Sequence, residues 1–372
     1  MIYSPSPVTT QQSTVFGHSI VELSNRFGTP LLAFDAPTIR ETLSAFAAFD
    51  SVRVCNRRGL SEGVLGVVAA GGFAVAGTNA SELRQGISRR MTRVICDTDF
   101  LDRETVAVVA EHGLHVVCGS VDMIDQVGQV RPGADVSLRV DLCGDDSCDG
   151  IPHDQIEDCL FRADQYGVMV TGLAFDVSKI STADVVAMIG SRAQHAATVI
   201  GRTLSSLCVV GELTGESFPV WDNVRRAIAN DIGHAVRLDV RIDQSVFAPA
   251  GTLIAEIRAI VRRGNHWLYR AAIPDVESFS EAVVRGEKPI SICPRQAIDY
   301  ARPVMDVILG GQGDVAVGAD AISNSLPVAV IGDFAVIGHC GDEYSAATAS
   351  TVGVSIVLVD GENVSHCRPR MN

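Results

Sequence analysis

From about residue 30 to residue 250, apolar strand-like runs alternate with amphipathic helical stretches, roughly every 20–25 residues. The predicted strands are 31–36, 52–56, 73–77, 93–97, 114–119, 136–141, 168–177 and 207–213. A further strand at 236–242 either closes the barrel or lies outside it. Repeated units of this length predict a parallel sheet, and eight of them predict a closed (β/α)8 barrel. Periodicity alone leaves an open doubly wound sheet as an alternative.

After Pro249 the pattern changes to short strands at 253–261, 267–272, 327–330 and 352–359, separated by glycine, proline and aspartate turns. This pattern is typical of a mostly β domain. We therefore predict an α/β fold in which a (β/α)8 barrel at 31–250 is followed by a β-rich carboxy-terminal domain at 251–372.

Charge and composition exclude several classes of protein. The 372-residue chain has a net charge of −14, which argues against nucleic acid or an anionic membrane as the main partner. The sequence contains no run of eighteen apolar residues that would predict a membrane span. Its first residues do not resemble a signal peptide, so we expect a cytoplasmic protein. The ten cysteines are unevenly spaced. Cys143 and Cys148 lack a second Cys/His pair at a metal-binding distance, so no metal site is predicted.

Several segments resemble the diaminopimelate/ornithine decarboxylase family in their order along the chain. They are FGHSIVELSNRFGTPLLAFDAPTIRETLSAFAAF at 16–49, LRVD at 138–141, GLAFDVSKI at 172–180, APAGTLIAEI at 248–257 and IGDFAVIGHCGDEYSA at 331–346. The family holds pyridoxal phosphate (PLP) on a barrel of the alanine racemase/ornithine decarboxylase type. The resemblance also implies that residues 1–30 pack on the β domain. It further implies a head-to-tail dimer whose active sites lie at the carboxyl ends of the barrel strands.

The family's Schiff-base lysine lies in a Val-Lys-Ala-Asn pattern, and this chain has Val54-Cys55-Asn56 there. A thiol cannot form an imine with the aldehyde of PLP. The family's stacking histidine aligns with Asp176, and its glycine-rich phosphate turn aligns with Gly211-Glu212-Leu213. The Glu-Pro-Gly-Arg motif that faces the pyridine nitrogen aligns with Ala-Pro-Ala-Gly at 248–251. From these differences we predict that the chain binds no PLP and no other cofactor.

Other family positions keep residues that could line a substrate pocket. Their counterparts in this chain are Glu82, Arg139, Asp314 and, with one inserted residue before it, Tyr344. We count Tyr344 among the candidate catalytic residues. Cys340, next to His339, is a further candidate for the pocket near the dimer interface.

Three residues at the predicted barrel mouth could carry chemistry. Cys55 could act as a nucleophile or as an acid/base group, or it could be a small buried residue. Lys179 is one of only two lysines in the chain, with Lys288. It could be a relocated Schiff-base lysine, a cation for an anionic substrate, or a solvated loop residue. Asp176 and Glu212 could form a carboxylate pair, unless Arg139 neutralises one of them.

These observations lead to three functional hypotheses. The first is a decarboxylase homologue without PLP that acts as a non-catalytic or regulatory partner, either as a homodimer or in a heterodimer with an active paralogue. The second is a PLP-independent enzyme that uses the old pocket for a small amino-acid-like ligand. The third is an amino-acid decarboxylase that binds PLP through Lys179. We expect the first of these.

Overall fold

The structure is a computed structural model of the chain. It describes residues 12–56, 60–142, 150–177, 183–211, 213, 217–263, 266–273, 288–296, 302–310, 324–341 and 354–367. The strands are β1 Thr14–Val15, β2 His18–Ser19, β3 Leu31–Asp35, β4 Ser51–Cys55, β5 Ala74–Gly77, β6 Val94–Asp97, β7 His115–Cys118, β8 Asp135–Asp141, β9 Ile151–Pro152, β10 Met169–Asp176, β11 Ser206–Gly211, β12 Arg237–Ile242, β13 Gly251–Arg263, β14 His266–Ala271, β15 Ile290–Cys293, β16 Val304–Gly310, β17 Asn324–Pro327, β18 Phe334–Ile337, β19 Ser355–Asp360 and β20 Asn363–His366. The helices are α1 Ile20–Phe27, α2 Ala36–Ser44, α3 Glu62–Ala70, α4 Ala80–Ser88, α5 Arg103–His112, α6 Val121–Val130, α7 Ile156–Gln165, α8 Ala183–Ile200 and α9 Phe218–Ile232.

The chain divides into two compact units. The barrel unit consists of Arg40–Gly59 and Leu65–Val246. The β-rich unit consists of Met1–Ile39, Leu60–Val64 and Phe247–Asn372. The predicted fold class, a (β/α)8 barrel with a mostly β carboxy-terminal domain, is confirmed.

The barrel is closed by eight parallel strands in the order β4, β5, β6, β7, β8, β10, β11 and β12. Strand β8 pairs with β10 in parallel, and β12 pairs with β4 to complete the circle. Strand 236–242, whose position the sequence left open, therefore closes the barrel. In a closed parallel barrel, alternate residues of each strand point into the interior, and the carboxyl ends of all strands meet at one face.

One strand lies in a different sheet from the one we predicted. We assigned residues 31–36 to the first strand of the barrel, but β3 pairs antiparallel with β13 and parallel with β19 in the β-rich unit. Its residues Leu31–Phe34 are all buried, and a short run of buried apolar residues indicates a central strand without indicating which sheet it joins.

Small and branched side chains fill the middle of the barrel interior. They form one buried cluster of Ala74, Ile95, Val117, Ala174, Cys208 and Val210. Three of the helices outside, α4, α5 and α6, start at residues whose side chains cap a free backbone N–H group. For example, the side chain of Asp102 accepts from Thr105 N at 2.7 Å, and Ser120 caps α6 in the same way. Gly113 ends α5 with a φ of 63°, a conformation that favours glycine.

The β-rich unit is built on a sheet with the order β17, β16, β14, β13, β3, β19 and β20, and β18 joins β13 to β15. Its core contains residues from distant parts of the chain: Val15, Ile20, Leu23, Leu31, Ala33, Ile254, Cys293, Phe334, Val336 and Val357. The described residues that precede β3 thus pack within this unit. None of the helices that the structure describes is long and apolar enough to cross a membrane.

Candidate active site at the carboxyl ends of the barrel strands

Cys55 is the last residue of β4 and lies at the carboxyl end of the barrel. Its side chain is 4% exposed. The next residue, Asn56, holds the strand end in place because its backbone N–H donates to Ala76 O at 2.7 Å. The Asn56 side chain also donates to Gln85 Oε1 at 3.1 Å and to Glu82 O at 3.3 Å. Cys55 therefore occupies a fixed position, as a residue at the mouth of a barrel site should.

A buried carboxylate, Asp97, organises the charges of the barrel interior near this end. It ends β6, and its Oδ2 accepts a hydrogen bond from Arg241 Nη1 at 2.5 Å. Its Oδ1 lies 3.5 Å from Arg139 Nη1. Burial would raise the pKa of Asp97, but Arg241 and Arg139 outweigh this and hold the pKa below its ordinary value.

Arg241 lies on the strand that closes the barrel, within electrostatic range of Cys55. Burial opposes its charge, but Asp97 first and then Cys55 hold the pKa of Arg241 above its ordinary value. Arg139 on β8 also donates to Thr98 O at 2.9 Å and to Asp99 Oδ1 at 2.5 Å. Together these groups place two fixed guanidinium groups and one thiol inside the carboxyl half of the barrel.

Arg139 keeps one donor available. Its Nε is buried and has no hydrogen-bond partner among the residues that the structure describes. Gly119 lies against this guanidinium, and a Cβ at that position would come within 2.8 Å of Arg139 Nη2. The glycine therefore makes room for a charged group that can bind an acceptor.

The other predicted site residues have different surroundings. Asp176 is the half-buried last residue of β10, so it does lie at the carboxyl end of the barrel. Glu82 is the third residue of α4, which Asn79 caps, and its Oε2 accepts from Thr78 N at 2.7 Å and from Thr78 Oγ1 at 2.8 Å. Arg139 forms its ion pairs with Asp97 and Asp99, two carboxylates that we did not propose.

Cys340 belongs to the β-rich unit, where its thiol is buried and lies 3.2 Å from Ile337 O and 3.3 Å from Gly338 O. Four further candidates, Lys179, Glu212, Asp314 and Tyr344, lie outside the described residues.

Sequence reasoning missed Asp97 and Arg241. Both are charged residues near the carboxyl end of a strand. Arg241 was not considered because the position of strand 236–242 was undecided, and Asp97 drew no attention without its partner Arg241. Once this strand closes the barrel, alternation places Arg237, Asp239 and Arg241 on the interior face.

A parallel barrel with fixed charged groups at the carboxyl ends of its strands, followed by a β domain, is the class of architecture on which fold-type-III PLP enzymes are built. The sequence has relatives among the decarboxylases. A diaminopimelate decarboxylase from Streptomyces coelicolor is 25% identical over 395 residues, which cover 95% of this chain and 90% of the relative. The diaminopimelate decarboxylase of Escherichia coli K12 is 23% identical, over 93% of this chain and 91% of the relative. No protein-family model matches the chain.

Solved structures share the fold. A crystal structure of diaminopimelate decarboxylase matches with a TM-score of 0.82 at 21% identity, over 95% of this chain and 94% of the other. Lysine decarboxylase from Selenomonas ruminantium matches with a TM-score of 0.73 at 15% identity, over 95% and 97% of the two chains. A structure of SrLDC in complex with PLP and cadaverine matches with a TM-score of 0.73 at 15% identity, over 92% and 93%. The predicted resemblance to the decarboxylase family is confirmed.

These findings correct two predictions. We predicted a chain that binds no PLP and acts as a non-catalytic or regulatory partner, or else as a PLP-independent enzyme. This is wrong, because the relatives, aligned over 90% or more of their own length, are diaminopimelate decarboxylases, and one matching structure holds PLP. The prediction gave differences at single motif positions, above all Cys55, more weight than similarity along the whole chain.

The described residues of the barrel unit fit PLP only in part. The Nε of Arg139 is a donor for an anionic oxygen, and Asp97 holds both nearby guanidinium groups in place. An amine for the aldehyde is not among these residues, because Cys55 stands at the end of β4 and Lys179 lies outside them. No chemical step through PLP follows from this set alone.

Proposed function

We propose that this protein is an amino-acid decarboxylase that uses PLP. The observation that carries the proposal is the similarity to diaminopimelate decarboxylases over 95% of the chain. When bound, PLP supplies the electron sink for loss of the substrate carboxylate. A diaminopimelate-like amino acid is the substrate class that the names of the relatives favour.

In this proposal the described residues of the barrel bind the substrate and the cofactor and hold them in position. Arg139 Nε offers a hydrogen bond to an anionic oxygen of the substrate or cofactor, while Asp97 keeps Arg139 and Arg241 in fixed positions. Cys55, close to Arg241, donates or accepts a proton at the mouth of the barrel. Asp176, at the end of β10, is a second group for proton transfer.

We propose Lys179 as the lysine that carries the cofactor. PLP enzymes use a lysine amine, and the chain has two lysines. Lys288 lies in the β-rich unit, where its Nζ donates to His339 O at 2.7 Å. Lys179 follows Asp176, the last residue of a barrel strand, by three positions, and the loops after the strands of a (β/α)8 barrel carry its active site.

We further propose that the protein is a homodimer, because the resemblance implies active sites that the partner subunit completes. A cytoplasmic location is a separate part of the proposal. On the same basis as the homodimer, Tyr344 remains a candidate catalytic residue, and Asp314, Glu212 and Cys340 remain candidates for the substrate pocket. Light scattering on a sizing column would give the mass of two identical chains for a homodimer. A monomer, or a dimer that forms only with a paralogue, would contradict this part of the proposal.

The test combines cofactor binding and turnover. Purified protein is incubated with PLP, dialysed and scanned for visible absorbance. It is then reduced with borohydride and digested, so that mass spectrometry can locate the trapped lysine. Release of CO2 from diaminopimelate and from lysine, arginine and ornithine is measured in parallel. We expect trapping and turnover in wild type and in Lys288→Ala, and neither in Lys179→Ala. Trapping at Lys288, or retention of no PLP by the wild type, would contradict the proposal.

A further inference from the structure

The opposite, amino-terminal end of the barrel contains a second group of polar side chains, which the proposed function does not use. We call Arg53, Arg93, Arg237 and Asp239 the amino-end arginine cluster. Arg237 is the first residue of β12, and Arg93 directly precedes β6. Arg53 on β4 reaches Asp239, whose partner in the strand pairing is Ser51, the first residue of β4.

The charges of this cluster do not balance. Asp239 is fully buried, and its Oδ2 accepts from Arg53 Nη2 at 2.6 Å and from Arg237 Nη2 at 3.0 Å. Arg93 interacts with the same carboxylate at longer range, so the cluster has three guanidinium groups and one carboxylate. Asp97, the next buried carboxylate along the interior, is bound by Arg241 and Arg139 towards the other end of the barrel.

The strongest sign of a missing partner is Arg53. This side chain is 1% exposed, and its Nε and Nη1 are buried without a hydrogen-bond partner among the described residues. Buried donors of a charged group are nearly always paired, so two unpaired donors on one buried guanidinium call for an acceptor.

Two hydroxyl groups lie in the same layer. Ser137, Gly172, Ser206 and Arg237 are successive partners across β8, β10, β11 and β12. A Cβ at Gly172 would come within 2.1 Å of Ser137 Oγ and 3.0 Å of Ser206 Oγ. The missing side chain at Gly172 therefore leaves room for these two hydroxyls inside the barrel.

The arginine charges shift the neighbouring groups, while Arg53 itself stays charged: burial opposes its charge, but Cys208, Asp239 and Asp97 outweigh this and hold its pKa above the ordinary value. Burial first, and then Arg53 and Arg93, lower the pKa of His115 to about 3, so this imidazole is neutral and its Nε2 lies 2.8 Å from Ser137 Oγ. Burial and the charges of Arg53 and Arg237 also lower the pKa of Arg93.

We propose that the amino-end arginine cluster is a binding site for a small inorganic oxyanion of the phosphate type. Arg53 and Arg93 supply the charge, Arg237 lies at its rim, and the hydroxyls of Ser137 and Ser206 are further donors. An anion rather than water is expected because water would pair the donors of Arg53 without offsetting the surplus charge. The site is independent of the proposed cofactor site, which we place at the other end of the strands.

The test titrates inorganic phosphate against the full-length protein, with sodium chloride of equal ionic strength as the comparison. Thermal unfolding and isothermal calorimetry report binding. PLP is present at saturation throughout, so that phosphate cannot be scored at the cofactor site. The variants are Arg93→Gln and Arg237→Gln, which change partly exposed residues and leave the fully buried Arg53 in place. The control is Arg84→Gln, an exposed arginine of the barrel unit that pairs with Glu104.

We expect a saturable rise in melting temperature with phosphate in wild type and in Arg84→Gln, and affinity weaker by about tenfold in both cluster variants. An equal rise with sodium chloride, or unchanged affinity in Arg93→Gln and Arg237→Gln, would overturn the proposal. Failure of the protein to bind PLP would contradict the proposed function alone, because a loss of phosphate affinity in Arg93→Gln and Arg237→Gln, but not in Arg84→Gln, would still assign the phosphate to the arginine cluster.

Discussion

Arg241 on β12 and Asp97 on β6 form a buried ion pair across the barrel interior, with Nη1 and Oδ2 2.5 Å apart. The two strands are separated in the sheet by β4 and β5, so the pair spans the barrel instead of joining neighbours. Arg139 on β8 approaches the second carboxylate oxygen at 3.5 Å. One carboxylate thereby ties three strands together at the end of the barrel where we place the active site.

The first prediction concerns this carboxylate. Asp97→Asn leaves Arg241 and Arg139 buried without their shared counter-charge, and removing one partner of a buried ion pair costs about 3–5 kcal/mol. Urea denaturation at pH 7 would measure the loss of unfolding free energy. The matched control is Glu104→Gln, which breaks the exposed pair with Arg84 and should cost less than about 1 kcal/mol. Equal losses of unfolding free energy in the two variants would show that the buried Asp97 pair stabilises the protein no more than the exposed pair does.

The second prediction concerns pH and His115. Its pKa is lowered to about 3 in the folded protein, mainly by burial, whereas in an unfolded chain it is about 6.5. Below about pH 6.5 the unfolded state therefore binds a proton that the folded state does not. Stability should fall with decreasing pH in this window by about 1.4 kcal/mol per unit from this residue.

Replacing the imidazole should remove that contribution. We expect His115→Gln to show a shallower fall in unfolding free energy between pH 6.5 and about 4 than wild type, measured by urea denaturation in phosphate-free buffer. His112→Gln, a change at a more exposed histidine at the end of α5, is the control for replacing an imidazole by an amide. Parallel curves for wild type and His115→Gln would contradict the burial of a neutral imidazole.

The barrel could be predicted from sequence because its strands are buried and regularly spaced. The predicted strands 52–56, 93–97 and 136–141 match Ser51–Cys55, Val94–Asp97 and Asp135–Asp141 to within one residue. The strand at Leu31–Asp35 was found but placed in the wrong sheet, because pairing with β13 and β19 depends on residues more than 200 positions away. Local pattern carries no information on such pairing.

The site was less predictable for a related reason. Cys55 and Arg139 were selected by their alignment with family motifs, and both lie in the barrel near its carboxyl end. Asp97 and Arg241 come together only when the barrel closes, and they lie 144 positions apart in the chain. Glu82 looked like a pocket residue in the alignment, yet its side chain bonds Thr78 at the start of α4.

The third prediction tests that structural role. Glu82→Ala removes the carboxylate that accepts two hydrogen bonds from Thr78, which leaves these donors without their acceptor and should cost about 1–3 kcal/mol of stability. Thermal unfolding should show the loss, while KM for the substrate should stay within about twofold of the wild-type value because the carboxylate is engaged by Thr78. A large rise in KM with unchanged stability would return Glu82 to the substrate pocket.

The fourth prediction concerns the thiol at the barrel mouth. If Cys55 transfers a proton during turnover, Cys55→Ala should lower kcat by about 10²–10⁴-fold, the usual contribution of a positioned acid or base. Cys118, the last residue of β7, is the matched control. It is also buried at a strand end, but it follows the inward-facing Val117 and therefore points to the helices. Cys118→Ala should keep its kcat. A change in packing alone could also lower activity, so the dependence of kcat on pH decides between the two roles. Loss of the rise or of the fall of kcat with pH in Cys55→Ala indicates proton transfer, whereas an equal decrease at every pH indicates a packing role.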